Sequence, residues 1–299
     1  MDQTSGVKRQ IMDYYNSVGW KNIQDGVFHN ASREDLRPVA QEYIHRCRMR
    51  VKRHLPEKGE YLLDAGSGPI QYPEYLEYSR DYRYRVCLDI SRLALVEARE
   101  RIGDHGLMVL GDIAHLPFRK GAVDGVVSLH AVHHIPGEEQ LQAFHEMWRV
   151  LKDSGAAVIV HSWGNLAPIQ RVFRRPMKWI IRARRWISRL LSGQGMADQR
   201  AGEGQKAADI QIQSPTFRHD FNWVQKNLGS LPGFRLLIWR TINTKFSRVF
   251  IHRFFFGKLW LRLLYSLEEK APVFFARYGQ YPMIIYHGST EPIDSGNEG

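Results

Sequence analysis

Residues 62–69 read Leu-Leu-Asp-Ala-Gly-Ser-Gly-Pro, an apolar run that ends in an acidic residue and turns through a Gly-x-Gly sequence. A second apolar run then ends in Asp89, and a third, shorter one ends in Asp112. The carboxyl ends of parallel strands meet at one edge of a sheet, where open α/β proteins bind their ligands. Three strand ends in this order therefore predict a nucleoside pocket at the carboxyl edge of a doubly wound sheet.

The residue types at these strand ends suit a nucleoside. Gly66 and Gly68 allow the backbone to approach a ligand where a side chain would block it. The Asp89 carboxylate can accept hydrogen bonds from two ribose hydroxyls, and Asp112 is placed to accept one from an exocyclic amine. The sequence departs from a dinucleotide-binding fingerprint because Pro69-Ile70 stands where a third glycine is expected.

From residue 60 onward, short apolar runs alternate with amphipathic segments, a pattern typical of βαβ units. Strands are predicted at 61–64, 84–88, 107–110, 124–129, 156–161, 234–242 and 281–286. Helices are predicted near 71–79, 92–102, 138–151 and 166–192. Residues 152–155 are predicted to form a turn before the fifth strand. The expected fold is a Rossmann-like, seven-stranded mixed sheet flanked by helices.

The chain is expected to have four parts. They are a helical N-terminal cap at 1–58, a nucleoside-binding core at 59–163, a basic amphipathic insert or lid at 164–220, and C-terminal strands with an aromatic and cationic insertion at 221–299.

Four motifs of the core resemble those of the class I S-adenosylmethionine-dependent methyltransferases. They are Asp64–Gly68, Leu88–Ser91, Gly111–Phe118 and Arg149–Gly155. The chain looks most like the broad group that includes ubiquinone and menaquinone C-methyltransferases and many small-molecule O- and N-methyltransferases. The resemblance covers residues 60–162 and implies S-adenosyl-L-methionine as the cofactor.

The resemblance also implies which residues hold that cofactor. The glycine turn would line its methionine end, Asp89 would hold the ribose, and Asp112 with Ile113 would hold the adenine. The full set of expected cofactor-binding residues is Asp64, Gly66, Ser67, Gly68, Asp89, Ile90, Asp112, Ile113 and Leu129.

In the resembling family, the loop after the fourth strand faces the transferred methyl group. Here that loop contains His130 and His133, and a histidine can accept the proton of a nucleophile near neutral pH. His130 is the leading candidate for a base or acceptor contact, and His133 is the second. No metal site is expected, because His130 and His134 share a face only in a helix and Pro136 argues against one. Tyr14, Tyr15 and Trp20 form either a lid over the pocket or ordinary core.

The formal charge of +11 is unevenly distributed. Residues 1–150 contain 20 Lys and Arg against 21 Asp and Glu, whereas residues 151–299 contain 22 against 10. Within the basic half, residues 169–191 place aliphatic side chains on one helical face and arginines on the other, with Trp179 and Trp186 at the edge. Such a helix suits either an anionic membrane surface or a lid with a solvated face. Residues 245–265 are a second aromatic and cationic segment.

The sequence therefore predicts a methyltransferase for a small or lipid-linked acceptor at a membrane surface, such as a quinone, a glycolipid or a polyprenyl-linked sugar. A nucleic-acid methyltransferase and a non-catalytic scaffold are the alternatives; nucleic acid is less favoured because the cations are mixed with bulky aliphatic residues. A polar N-terminus and two distant cysteines predict a cytoplasmic protein, peripheral at the inner face of the membrane. The atom that is methylated and the oligomeric state stay open.

Overall fold

The computed structural model describes residues 3–20, 22–24, 27–29, 34–192 and 214–288. Its strands are β1 (Asn22–Gln24), β2 (Val27–Phe28), β3 (Gly59–Ala65), β4 (Tyr82–Asp89), β5 (Gly106–Leu110), β6 (Val123–Leu129), β7 (Leu151–Val160), β8 (Arg235–Arg240) and β9 (Tyr281–His287). Its helices are α1 (Gln3–Tyr14), α2 (Pro38–Met49), α3 (Pro73–Leu76), α4 (Arg92–Ile102), α5 (Gly137–Arg149), α6 (Pro168–Ser192), α7 (Phe221–Leu228), α8 (Thr244–Phe250), α9 (Gly257–Lys270) and α10 (Pro272–Tyr278).

The main sheet has seven strands in the order β5-β4-β3-β6-β7-β9-β8. The five strands from β5 to β7 run parallel, and β9 is antiparallel to both β7 and β8. The predicted seven-stranded mixed sheet is thus confirmed. Strand order reverses at β3, so the carboxyl ends of β3, β4 and β6 border the crevice where such sheets bind ligands.

Alternation along the central strands separates two apolar cores. Leu63 and Val126 point into the core on one face of the sheet, whereas Leu62 and Val127 point into the core on the other. Side chains of successive residues in a strand point to opposite faces, so a strand covered on both sides is apolar throughout. This explains why the central strands stand out as continuous apolar runs in the sequence.

Three sequence expectations need correction. Residues 152–155 are not a turn, because β7 already begins at Leu151. The register of β7 with β6 shifts between Val123 and Gly125, so the extra residues form an irregularity within β7. The N-terminal cap is not wholly helical, since β1 and β2 form a small antiparallel pair between α1 and α2. For Pro176 the sequence allows either a kink in the basic helix or its start; Pro176 lies inside α6, so the second alternative is wrong.

Part of the predicted chain organisation falls outside the described residues. This concerns 193–213 of the expected insert and 289–299 at the C-terminal end. Within the described part, no helix combines the length and the apolarity needed to cross a bilayer. Both cysteines, Cys47 and Cys87, are buried free thiols.

A buried network of charged residues holds α2 and α9 against the end of β8. Glu268, fully buried on α9, accepts hydrogen bonds from the Tyr43 hydroxyl at 2.6 Å, from Arg50 at 2.8 Å and from the backbone N–H of Thr241 at 3.0 Å. Arg50 also donates to the backbone carbonyl oxygen of Trp239 at 2.9 Å. Buried ionic groups need this degree of pairing, because each one has lost its hydration.

The first prediction concerns that network. We expect Glu268→Gln to lower the free energy of unfolding by about 2 kcal/mol, because the buried Arg50 loses the carboxylate that is its main partner. The loss is no larger because Glu269 still pairs with the same guanidinium. Chemical denaturation measures the change. Glu42→Gln, which breaks an exposed ion pair with Arg262 between the same two helices, is the control and should cost much less. Equal losses for the two variants would contradict the assigned role.

Candidate cofactor and acceptor site

A single cavity of about 790 Å³ lies at the carboxyl edge of the sheet. It has two halves. The first half is formed by the ends of β3, β4, β5 and β6, and all nine expected cofactor-binding residues line the cavity there: Asp64, Gly66, Ser67, Gly68, Asp89, Ile90, Asp112, Ile113 and Leu129. The second half is formed by residues 162–165 after β7, 214–218, 239–245 and 280–281.

The glycine turn after β3 is fixed by backbone hydrogen bonds to the next strand. The N–H groups of Gly66 and Ser67 both donate to the carbonyl oxygen of Leu88, at 2.7 and 3.1 Å. Gly66 has a φ of +77°, and a Cβ atom there would lie 2.4 Å from the Cβ of Ala131. Only glycine meets both conditions, since L-residues avoid this φ region and the neighbouring loop leaves no room.

Asp89 connects this turn to α4. Its Oδ2 accepts a hydrogen bond from the Gly68 N–H at 2.9 Å, and its Oδ1 accepts one from the Ser91 N–H at 2.8 Å. Burial raises the pKa of Asp89 to about 6, although both of these hydrogen bonds act in the opposite direction. A carboxylate offers about four acceptor positions, so two remain for the hydroxyls of a ribose.

Asp112 lies at the next strand end and is held from two sides. Its Oδ1 accepts from the Ala114 N–H at 2.9 Å, while its Oδ2 accepts from the ammonium group of Lys8 on α1. Lys8 also forms an ion pair with Glu139 on α5. The helix α1 is thereby held across the end of the cavity that Asp112 lines. The Lys8 pairing lowers the pKa of the Asp112 carboxyl, even though its burial acts in the opposite direction.

Asp64 is paired with a fully buried arginine. The Nε and Nη2 atoms of Arg85 donate to Asp64 Oδ2, and its Nη1 donates to the carbonyl oxygen of Tyr75. Desolvation of Arg85 is offset by these partners, as burial of a cation requires. Sequence analysis did not identify Arg85, because an arginine in the middle of an apolar strand gives no indication of its partner.

The segment after α1 covers the first half of the cavity. Tyr15 stacks on Trp20 with ring centroids 5.0 Å apart, and its hydroxyl hydrogen-bonds with His134 Nε2 at 2.9 Å. Asn16 Oδ1 accepts a hydrogen bond from the Ser91 hydroxyl at 2.5 Å. Of the three aromatic residues considered for a lid, all line the cavity.

His130 stands at the junction of the two halves, in the left-handed region at a φ of +58°. Its ring packs edge-on against Trp239 and Tyr281, with centroids 4.9 and 5.2 Å away. Burial, together with the charge of Arg240, lowers the pKa of His130 to about 3. His130 is therefore uncharged at neutral pH.

Two further buried histidines lie beside it. Burial and neighbouring His134 hold the pKa of His133 well below its ordinary value, and burial with the charge of His219 lowers the pKa of His161 to about 3. Neither side chain has a hydrogen-bond partner on Nδ1. Among the described residues, no three histidine, cysteine or carboxylate side chains are arranged to hold a metal ion.

The second half of the cavity contains residues that sequence analysis missed. Arg240 pairs with Glu34 at 2.8 Å, and Arg48 lies 3.7 Å from the same carboxylate. The guanidinium of Arg48 also stacks over Tyr72, 3.4 Å from the ring centroid. These contacts join the N-terminal segment to β8 across 206 residues of sequence, so no local pattern could reveal them.

The first half fits S-adenosylmethionine. Carboxylates stand at two neighbouring strand ends for the ribose and the adenine amine, and the apolar side chains of Ile90 and Ile113 border the space between them. A glycine turn, which needs no side-chain room, lies where the methionine end would approach the backbone.

Comparison with known proteins agrees with this geometry. Residues 63–159 match the protein family described as "Methyltransferase domain". The 18S rRNA (guanine-N(7))-methyltransferase of Bos taurus is 33% identical over 113 residues, which cover 34% of this chain and 39% of that protein. An Encephalitozoon cuniculi protein named as a methyltransferase is 37% identical over 84 residues, 28% of this chain and 39% of its own. The chain thus spans about two fifths of the length of these curated relatives.

A solved structure extends the likeness beyond the core. Geranyl diphosphate C-methyltransferase from Streptomyces coelicolor A3(2), crystallised with Mg²⁺, geranyl diphosphate and S-adenosyl-L-homocysteine, superposes with a TM-score of 0.52 at 18% identity. The alignment covers 94% of this chain and 97% of that one, which shows a shared fold.

Residues 63–159 therefore match a methyltransferase domain, and the sheet that contains them has the class I fold of the S-adenosylmethionine-dependent methyltransferases. The resemblance found in the sequence is confirmed at this level.

The second prediction tests the ribose contact. We expect Asp89→Asn to weaken the binding of S-adenosylhomocysteine at least about tenfold, because the variant loses one hydrogen bond between the ligand and a charged group. The wild-type affinity should also fall as the pH is lowered through about 6, because protonation of Asp89 removes an acceptor that the ligand uses. Isothermal titration calorimetry between pH 7.5 and 5.5 measures both effects.

Asp104→Asn is the control, since that carboxylate is fully exposed and remote from the cavity lining. Its affinity and pH profile should match those of the wild type. Unchanged binding by Asp89→Asn would remove Asp89 from the cofactor site.

Proposed function

We propose that this protein transfers the methyl group of S-adenosylmethionine to a small or lipid-linked acceptor at an anionic membrane surface. The enzyme class rests on the methyltransferase domain and the two-part cavity. The observation that supports the membrane surface is a set of exposed aromatic, aliphatic and cationic side chains on α6, α9, α10 and the segment before α9. We assign the second half of the cavity to the acceptor and call it the acceptor half.

Methyl transfer requires the protein mainly to position the two reactants. The cofactor supplies an electrophilic methyl group, which the acceptor atom displaces in line. The chain holds the ribose and adenine on Asp89 and Asp112, and Tyr15 and Trp20 cover them from water. His130, at the junction of the two halves, is placed to contact an acceptor that enters from the second half.

The exposed aromatic surface consists of Phe254, Phe255, Phe256, Leu259, Trp260, Leu263, Leu267, Val273 and Phe274. Phe254 is 91% exposed, and its two neighbours in sequence are 72% and 75% exposed. Bulky side chains in this density are unusual on a surface that faces only water, and they mark interaction sites. Trp260, on α9, adds the indole that favours a bilayer interface.

Helix α6 carries exposed cations and an exposed tryptophan. Five basic side chains are exposed along its described part: Arg171, Arg174, Arg175, Lys178 and Arg182. Trp179 is 74% exposed on the same helix. A helix with exposed arginines and tryptophan can insert its indole at the acyl boundary while its cations meet anionic headgroups.

The start of α6 also borders the cavity. Phe173 packs edge-on against Phe246 and Phe250 of α8, with centroids 5.1 and 5.8 Å away. Gln170 of α6 and Lys245 of α8 line the cavity. A membrane in contact with α6 would therefore lie near the opening through which an acceptor enters.

The third prediction tests the membrane contact by vesicle flotation. We expect the wild-type protein to float with phosphatidylglycerol vesicles and not with phosphatidylcholine vesicles. The double variant Phe254→Ser with Phe255→Ser should lose most of this binding, because roughly 1.5–3 kcal/mol of transfer free energy is lost for each buried phenylalanine. Val96→Ser, at a half-exposed apolar position on α4, is the control and should float like the wild type.

Absence of flotation under both lipid conditions would remove the membrane from the proposal. Binding of RNA with affinity that falls steeply with salt would instead favour a nucleic-acid acceptor. The enzymatic part is tested separately by transfer of a radiolabelled methyl group from S-adenosylmethionine into a lipid extract, with Asp89→Asn as the inactive reference.

A further inference from the structure

Arg218 lies in the acceptor half of the cavity, in the segment that leads into α7. Its side chain packs directly on the backbone of Gly164, which has a φ of +56°. A Cβ atom at residue 164 would lie 2.4 Å from Arg218 Cδ and 2.6 Å from its Nε. The loop after β7 is therefore shaped to receive this guanidinium.

The charge of Arg218 has no counter-ion among the described residues. Its Nη1 donates to the Thr216 hydroxyl at 2.7 Å, and its Nε is buried without a hydrogen-bond partner. Burial lowers the pKa of Arg218 from its ordinary value, and no carboxylate acts against that shift. By contrast, the buried residues Arg85 and Arg240 each pair with a carboxylate, whereas Arg218 is half-buried and pairs with none among the described residues.

The groups around Arg218 do not neutralise its positive charge. The pKa of His161 is lowered by burial and by His219 as well as by Arg218, so the histidines nearby stay neutral. Lys245, Asn165 and Gln170 also line this half and offer further N–H donors. Glu34 is the acidic side chain that lines it within the described chain, and that carboxylate is engaged by Arg240 and Arg48.

We propose that Arg218 binds a phosphate group of the methyl acceptor, a proposal that rests on the proposed function. An unpaired cation in a recess costs free energy unless an anionic ligand compensates it. A guanidinium matches the oxygens of a phosphate with two parallel hydrogen bonds, and the other donors of this half can serve the remaining oxygens. The acceptor class is thus a phosphorylated molecule or a phospholipid-like lipid.

The test measures thermal stability of the full chain with inorganic phosphate, and separately with phosphatidylglycerol vesicles. We expect a saturable rise in melting temperature for the wild type that is weakened at least about tenfold in midpoint concentration by Arg218→Gln. Arg218→Lys, which keeps the charge without the planar fork, should give an intermediate midpoint. Arg119→Gln, at an exposed arginine outside the cavity, is the control and should behave like the wild type.

The two arms separate the sources of phosphate. An Arg218-dependent response to inorganic phosphate assigns a soluble phosphorylated acceptor, whereas one confined to the vesicles assigns a lipid phosphate; either supports the proposal. Equal responses of the wild type and Arg218→Gln in both arms would overturn it, since general salt stabilisation does not depend on this side chain.

S-adenosylhomocysteine separates this proposal from the enzymatic one. It should stabilise the wild type and Arg218→Gln alike, which also verifies that the variant is folded. If it stabilises both and the phosphate arms show no difference, the phosphate site fails and the methyltransferase stands. If it stabilises neither, the proposed enzymatic function fails whatever the phosphate arms show.

Discussion

The site depends above all on the hydrogen bonds that Asp89 and Ser91 make at the end of β4. Asp89 accepts from the glycine turn after β3 and from the Ser91 N–H. The Ser91 hydroxyl accepts from the Ala94 N–H, which begins α4, and donates to Asn16 in the N-terminal cover. Two adjacent side chains thus join a strand turn, a helix start and the segment over the cavity. A change in either one would disturb ligand contacts and the frame that positions them together.

Charge pairing distinguishes the structural arginines of the protein from the arginine that we assign to ligand binding. Arg50 forms an ion pair with Glu268, Arg85 with Asp64, and Arg240 with Glu34, and each pair is largely buried. Because an unpaired buried ion is costly, these pairs reflect what folding alone requires. Arg218 lacks such a partner in the described chain, although it lies in the same cavity region. The missing carboxylate partner distinguishes Arg218, as a binding residue, from the arginines whose ion pairs are structural.

The parts of the fold and site that the sequence could predict are those encoded by short-range patterns. The continuous apolar runs ending in Asp64, Asp89 and Asp112 predicted three strand ends that do line one cavity. Residues 152–155 misled because Asp, Ser and Gly favour turns, whereas in the structure they form an irregularity within β7 between its paired residues Leu151 and Ala156.

Short-range sequence patterns could not predict contacts between residues that are far apart in the sequence. Glu34 and Arg240 are 206 residues apart in the sequence, and no pattern near either residue indicates that they pair. The same holds for Arg218, whose sequence neighbours His219 and Asp220 suggest a solvated loop. The acceptor half is assembled from four distant segments, so its chemistry emerges only from the tertiary structure.

The two proposals concern a largely apolar part of the surface and a cavity lined by charged groups. Outside lie exposed aromatic and aliphatic side chains with arginines among them, and inside lie paired charges and the unpaired Arg218. An acceptor with an apolar tail and a phosphorylated head matches both environments at once, because its tail can stay at the surface while its head enters the recess. A fully apolar acceptor would leave Arg218 uncompensated, and a fully polar one would give the aromatic surface no role in catalysis. The arrangement therefore favours an amphipathic, anionic acceptor over either extreme.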